Sequence, residues 1–170
     1  MDLMKIKKFP DRILKQRCVS VCEVTHEDVS VLNNMVLTMH HFKGIGLAAP
    51  QVGILKRFIV ADIGEGVIKM VNPELIKKKG ADKMEEGCLS IPDVQVEINR
   101  YYEIIVNGVS ERNQKIEIKA NGLLARVIQH EIDHLNGRLI IDHLNIIEKM
   151  KILCSIKNHE QEKHECKNII

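Results

Sequence analysis

The stretch "QHEIDHLNG", residues 129–137, decides how this chain is read. Two histidines stand four apart with a glutamate directly after the first. A helix would set His130 and His134 one above the other on one face, both within reach of a single metal ion. The pattern upstream agrees with a helix: Leu124, Ile128, Ile132 and Leu135 fall on one side, and Leu123 and Val127 on the side of the histidines. Asn121 stands where a cap is needed, and Gly137 where a left-handed residue can end the helix. A helix apolar around most of its circumference belongs in a core. Two imidazoles and a carboxylate buried there need partners, and a metal would supply one.

Outward from that helix, "THEDVSVLNNMVLTMHHF" (25–42) offers Thr25 as N-cap with Asp28 three residues later. Val29, Leu32, Val36 and Met39 then keep helical spacing. Glycines and Pro50 in "GIGLAAPQVG" end it. Strand-like runs follow at 57–63, 67–76, 94–108 and 115–120, several alternating at period two. Residues 146–170 read as an amphipathic helix that turns polar toward its end. The expectation is one α+β domain over residues 1–170: antiparallel β-sheets around a central buried HExxH helix, with N-terminal and C-terminal helices.

Bulk properties narrow the function classes. The chain has 170 residues, enough for a real core, and its formal charge of +2 creates no field that argues for DNA or RNA as a main ligand. The charged start, "MDLMKIKKFPDRILK", carries no apolar export core, and no 18-residue apolar run offers a membrane span. Five scattered cysteines without an export signal read as reduced thiols in a cytoplasm. Cys18 and Cys22 form a lone C-x₃-C with no second pair, so structural thiols are the reading there.

The metal motif still needs a third protein ligand. The extended zinc-peptidase pattern asks for a histidine at position 140, which is Ile140. Glu148, Glu160, Glu162 and Glu165 are downstream carboxylates, His143 is a nearby imidazole, and Cys88 in "EGCLSIP" (86–92) is an upstream thiol. A thiolate with two imidazoles and one open position makes a sound catalytic tetrahedron. The residues alone leave a metallopeptidase with a tail glutamate, and a closed structural site, standing as rivals. "GIGLAA" (44–49) fits a dinucleotide fingerprint, but a helical pattern precedes it and Pro50 follows where the helix should run. It reads instead as an extended segment whose bare backbone at Gly44 and Gly46 admits another chain.

Taken together, "GIGLAAPQ" (44–51), "EGCLS" (86–90) and "HEIDH" (130–134) resemble, in that order, the three signature motifs of bacterial peptide deformylase. The resemblance spans about residues 4–148. It implies that Cys88, His130 and His134 hold one divalent metal, natively ferrous iron, with zinc, nickel or cobalt able to take its place. It implies that Glu131 moves protons, and that the Gln51 amide and Leu89 N–H face the oxygen that gains charge. The substrates it implies are N-formylmethionyl nascent peptides met in the cytoplasm, lying along Gly44, Ile45 and Gly46. Ile45, Met84, Leu123 and Val127 are the candidate walls of a methionine pocket. Arg126 would sit at the pocket mouth or snorkel to solvent. The C-terminal helix would touch the ribosome or remain a solvated face, and neither membrane nor DNA is expected as a partner.

Overall fold

The computed structural model describes residues 2–167, with side-chain surroundings to Ile156. Helix α1 (His26–His41) begins at Thr25, whose hydroxyl accepts from the Asp28 N–H while the Asp28 carboxylate accepts from the Thr25 N–H. That reciprocal box satisfies two of the otherwise orphaned first-turn donors. Strands β1 (Gly46–Ala48), β2 (Phe58–Ala61), β3 (Ile68–Lys79), β6 (Glu103–Val109) and β7 (Lys115–Asn121) form one antiparallel sheet in that order. Strands β4 (Asp82–Cys88) and β5 (Ile91–Arg100) form a second, two-stranded one. Helices α2 (Gly122–Leu135) and α3 (Ile146–Lys167) complete the chain. The architecture is the expected α+β arrangement of antiparallel sheets around a central helix.

Strand β2 shows how the core is built. All four of its residues are buried, and alternation sends Phe58 and Val60 to one face and Ile59 to the other. On the first face they meet Leu32, Met35 and Met39 of α1. On the second, Ile59 and Met70 meet Ala125, Ile128, Ile132 and Leu135 of α2. The five-stranded sheet is therefore held between the two helices. A third apolar cluster joins Ile91, Val96 and Ile98 of β5 to Leu14 and to Leu139, Ile140 and Ile141.

Three details differ from the sequence reading. The run 94–108 is two strands, not one. It breaks at Tyr101, whose backbone N–H and C=O are taken by the Gln129 side-chain amide at 3.1 and 2.8 Å. No glycine or proline marks that break, because a side chain from α2 causes it. Strand β4 is new, since its Lys83, Met84 and Glu85 are all exposed and show no apolar alternation. Asn121 precedes α2 but its side chain makes no cap hydrogen bond.

Candidate active site

Helix α2 carries His130, Glu131 and His134, and the β4–β5 hairpin brings Cys88 to meet them. Cys88 Sγ lies 3.3 Å from His134 Nε2, which lies 3.2 Å from His130 Nε2. All three atoms fall within 4.8 Å of one another, the one such group among the described residues. That spacing suits atoms sharing one ion at about 2.0–2.3 Å from each. Burial opposes the Cys88 thiolate, yet the rings of His134 and His130 hold its pKa well below the ordinary thiol value. His130 shows the reciprocal effect: burial pulls its pKa down, and its bonds to Cys88 and Glu86 push it up to about 10. A cation among these atoms would displace the proton they share, so the donor set fits a divalent metal.

The other candidates for a third ligand lie elsewhere. His143 Nε2 is bonded to Asp133 Oδ2 at 2.9 Å, and Glu148 is exposed on α3. The side chains of Glu160, Glu162 and Glu165, and of Lys157, Lys163 and Lys167, fall outside the described surroundings.

Glu86, left without a role by the motif reading, is the anchor of the site. Its Oε2 meets His130 Nδ1 at 2.9 Å and accepts from Arg100 Nη2 at 2.9 Å. Its Oε1 accepts from Arg100 Nε at 2.6 Å and Arg126 Nη1 at 2.7 Å. Burial pushes this carboxyl up, but the bonds from His130 and Arg100 outweigh it and hold its pKa at about 2. Arg100 also donates to Asp133 at 2.8 Å. A ligating histidine needs its second ring nitrogen held by an acceptor. A carboxylate two residues before Cys88 was the available signal.

Glu131 lies between its two histidine neighbours on the helix and is 4% exposed. Its Oε2 is buried with no partner among the described residues. Burial pushes its pKa up to about 7 against the opposing pull of His130 and His134. A carboxyl so poised can both take and give a proton near neutral pH. The Gly44–Gly46 segment runs close beside it. A Cβ at Gly46 would stand 2.3 Å from Glu131 Oε1 and 2.7 Å from Val127 Cγ1, so only glycine fits.

Gln51 is oriented by its own turn. Its Oε1 accepts from the Ala48 N–H at 2.8 Å, which turns Nε2 toward Cys88 Sγ at 3.6 Å and Ser90 Oγ at 3.3 Å. The N-terminal segment straps both sides of this corner: Lys7 N–H donates to Gln51 O at 2.7 Å and Phe9 N–H to Ser90 O at 2.8 Å. Leu89 packs against the α1 core, and a Cβ at Gly44 would stand 2.9 Å from its Cδ1.

A cavity of about 480 Å³ opens beside Cys88 and His130. Gly44, Ile45, Gly46, Gln51, Met84, Cys88, Leu89, Leu123, Val127, His130 and Glu131 all border it. Ile45, Met84 and Leu123 are about half exposed, whereas Val127 is buried. Of the two places expected for Arg126, the structure sets it on the border of the cavity and not in solvent. It is 4% exposed. Two carboxylates supply the reason, since Nη1 donates to Glu86 and Nη2 to Asp82 Oδ2 at 3.0 Å.

The polypeptide deformylase family model matches residues 3–150. Peptide deformylase of Halothermothrix orenii is 46% identical over 144 residues, covering 84% of this chain and 94% of its own. That of Carboxydothermus hydrogenoformans is 46% identical over 150 residues, covering 88% and 99%. Among solved structures, peptide deformylase from Thermotoga maritima superposes with a TM-score of 0.83 at 41% identity, over 85% of this chain and 99% of that one. The Ehrlichia chaffeensis enzyme in complex with actinonin superposes with a TM-score of 0.90 at 33% identity, over 94% and 99%.

Proposed function

Because the chain belongs to the polypeptide deformylase family, we propose that Cys88, His130 and His134 hold its metal and that Glu131, Gln51 and Leu89 carry out its chemistry. The enzyme is a metal-dependent hydrolase that removes the formyl group from the N-terminal methionine of newly made proteins, releasing formate. The observation that carries the residue assignment is the meeting of Cys88, His130 and His134, the first two on a cavity that Glu131 also borders.

When bound, a divalent ion supplies Lewis acidity that polarises a water and the formyl oxygen. Ferrous iron is the metal we assign from the resemblance to the family, since a thiolate and two imidazoles accept zinc, nickel or cobalt as well. Glu131 takes the proton of the attacking water on its free Oε2 and returns it to the departing amine nitrogen. Gln51 Nε2 and the Leu89 N–H donate to the formyl oxygen as it gains negative charge. Each such donor contributes about 3 kcal/mol of transition-state stabilisation. The peptide lies along Gly44, Ile45 and Gly46 as an added strand, bonded through its main chain and so without regard to sequence. Its methionine side chain enters between Met84, Leu123 and Val127.

Residues 1–170 act as one catalytic domain under this reading, in the cytoplasm where nascent chains emerge. No described helix is long and apolar enough to cross a membrane. The mixed charge of α3 favours a solvated face over a ribosomal contact. The test is formate release from a formyl-Met tripeptide, with protein purified without oxygen and assayed for iron. Formate should appear in step with a free methionine amine, peptide bonds intact. Intact formyl peptide at full metal occupancy would sink the proposal.

A further inference from the structure

Lys43, the residue before the Gly44–Gly46 segment, occupies a position that folding would give to glycine. Helix α1 ends in a paired turn, where the Lys43 N–H donates to His40 O at 3.0 Å and the Gly44 N–H to Met39 O at 2.9 Å. That turn needs one left-handed residue, and glycine is its usual occupant. Here Lys43 takes it, at φ 55°. A side chain in this conformation strains the backbone where glycine would not. Exposed and in no ion pair among the described residues, Lys43 borders the same cavity as Cys88 and His130. The other charges on that border are turned elsewhere. Glu86 and Arg126 are paired with each other, and Glu131 lies buried beside the histidines. Glu85 stands on β4 between Met84 and Glu86, so alternation sends its side chain to the opposite face, level with Glu97.

The course of a bound peptide brings its third residue to this lysine. Strand β1 is the edge of the five-stranded sheet and is bonded to β2 on one side only. Gly46 stands level with Glu131, where a Cβ would lie 2.3 Å from Oε1, so the reacting formyl group belongs there. Beyond Gly46 the way is closed, since Leu47, Ala48 and Ala49 are fully buried. The peptide therefore runs in the other direction, from Gly46 back toward Lys43. Three residues at about 3.3 Å each span roughly 10 Å. The third Cα of an extended formyl peptide lies about 9 Å from its formyl carbon. Alternation turns the third side chain to the cavity side, as it does the first. Resting on the site proposed above, we infer that Lys43 is a specificity-determining residue that favours substrates with an acidic third residue.

Two properties of such a contact follow from its place. It is far from the reacting atoms, so it forms equally in the ground state and the transition state and acts on KM, not kcat. It is also exposed, so its effect is modest and is screened by salt.

The experiment compares the metal-loaded parent enzyme with Lys43→Glu on formyl-Met-Ala-X amides, where X is Glu, Gln or Lys. The terminal amide removes the peptide's own carboxylate as a competing charge. At low salt the parent should favour Glu over Lys by about fivefold in kcat/KM, with Gln between them. The difference should sit in KM and shrink at about 0.5 M salt. In Lys43→Glu the order should reverse. Lys43→Gly, which suits the left-handed turn, should show no preference. A ratio of substrates within one preparation is unaffected by loss of active protein, so a structural role alone would not move it. A parent that treats the three peptides alike, or a Lys43→Glu enzyme that keeps the parent's order, overturns the role of Lys43 and leaves the deformylation reading intact. An equal preference in formyl-Met-X-Ala amides would put the contact at the second residue and also overturn it. No formate from any peptide overturns both readings.

Discussion

Helices α2 and α3 invert each other's rules. Helix α2 buries what ordinarily faces water: Arg126, Gln129, Glu131 and His134 are each at most 6% exposed. Helix α3 leaves in water what ordinarily seeks a core: Ile146, Ile147 and Met150 are 71%, 65% and 58% exposed. A helix selected only for folding would do neither, because buried charge is costly unless fully paired. The cost on α2 is offset by a connected set of partners, with Glu86 tied to His130, Arg100 and Arg126, and Asp133 to Arg100 and His143. Among the described apolar side chains of α3, Ile152, Leu153 and Ile156 pack half-buried over the third apolar cluster. The contrast separates a helix held by paired buried charge from one whose described side chains meet the protein along one edge.

The comparison predicts its largest effect at the one α2 carboxylate that has an unpaired buried oxygen. Glu131→Gln keeps volume, polarity and helix, so fold and metal content should match the parent. Turnover of a formyl-Met peptide should nevertheless fall by about 10²- to 10⁴-fold, the usual contribution of a positioned acid–base group. Metal analysis beside the rate separates the two roles. A variant with both its metal and its rate intact would show that Glu131 is a packing residue.

Glu86→Gln is expected to act next most strongly and through binding instead of proton transfer. The amide can still accept, but it no longer balances Arg100 and Arg126, and the hold on His130 Nδ1 weakens. Metal affinity should drop about 10- to 100-fold, as for other acceptors behind a ligating histidine. Titration of the apoprotein with zinc reads this directly. Unchanged affinity would mean that α2 packing alone orients His130.

These two residues also show what could be read from sequence. Glu131 stood inside a motif with a helical period and apolar neighbours, so its place followed from local spacing. Glu86 has partners at Arg100, Arg126 and His130, and only folding brings those together. The α1 capping box, β2 and the α2 face were legible because each is a local pattern. The β4–β5 hairpin was not, because a two-stranded sheet wet on both faces of β4 needs no apolar alternation. Nor was the break at Tyr101, which depends on a glutamine 28 residues away. The choice between pocket and solvent for Arg126 stayed open for the same reason: its partners Glu86 and Asp82 reach it only on folding.

The smallest effect belongs to the edge that holds α3. Asp142 is clasped by Lys15 and by Lys149 of α3, the latter at 2.5 Å, and its Oδ2 also accepts from the Leu139 N–H at 2.8 Å. Burial pushes its carboxyl up, but the bonds from Lys149 and Lys15 prevail and lower its pKa from 3.8 to about 2. The folded pKa lies below the unfolded one, so folding favours the ionised form. The stabilisation is then complete above about pH 4 and is lost as pH falls toward 2. Both lysines are partly exposed, at 40% and 31%, so screening holds the contribution to about 1 kcal/mol. Asp142→Asn should therefore unfold more easily than the parent at pH 7 by that amount. The gap between the two denaturation curves should close between pH 4 and pH 2. Because an asparagine oxygen can also accept from the Leu139 N–H, a gap that persists at pH 2 would assign the difference to packing. A gap that closes would establish that α3 is fastened by charge at its first turn, where α2 is fastened by burial along its length.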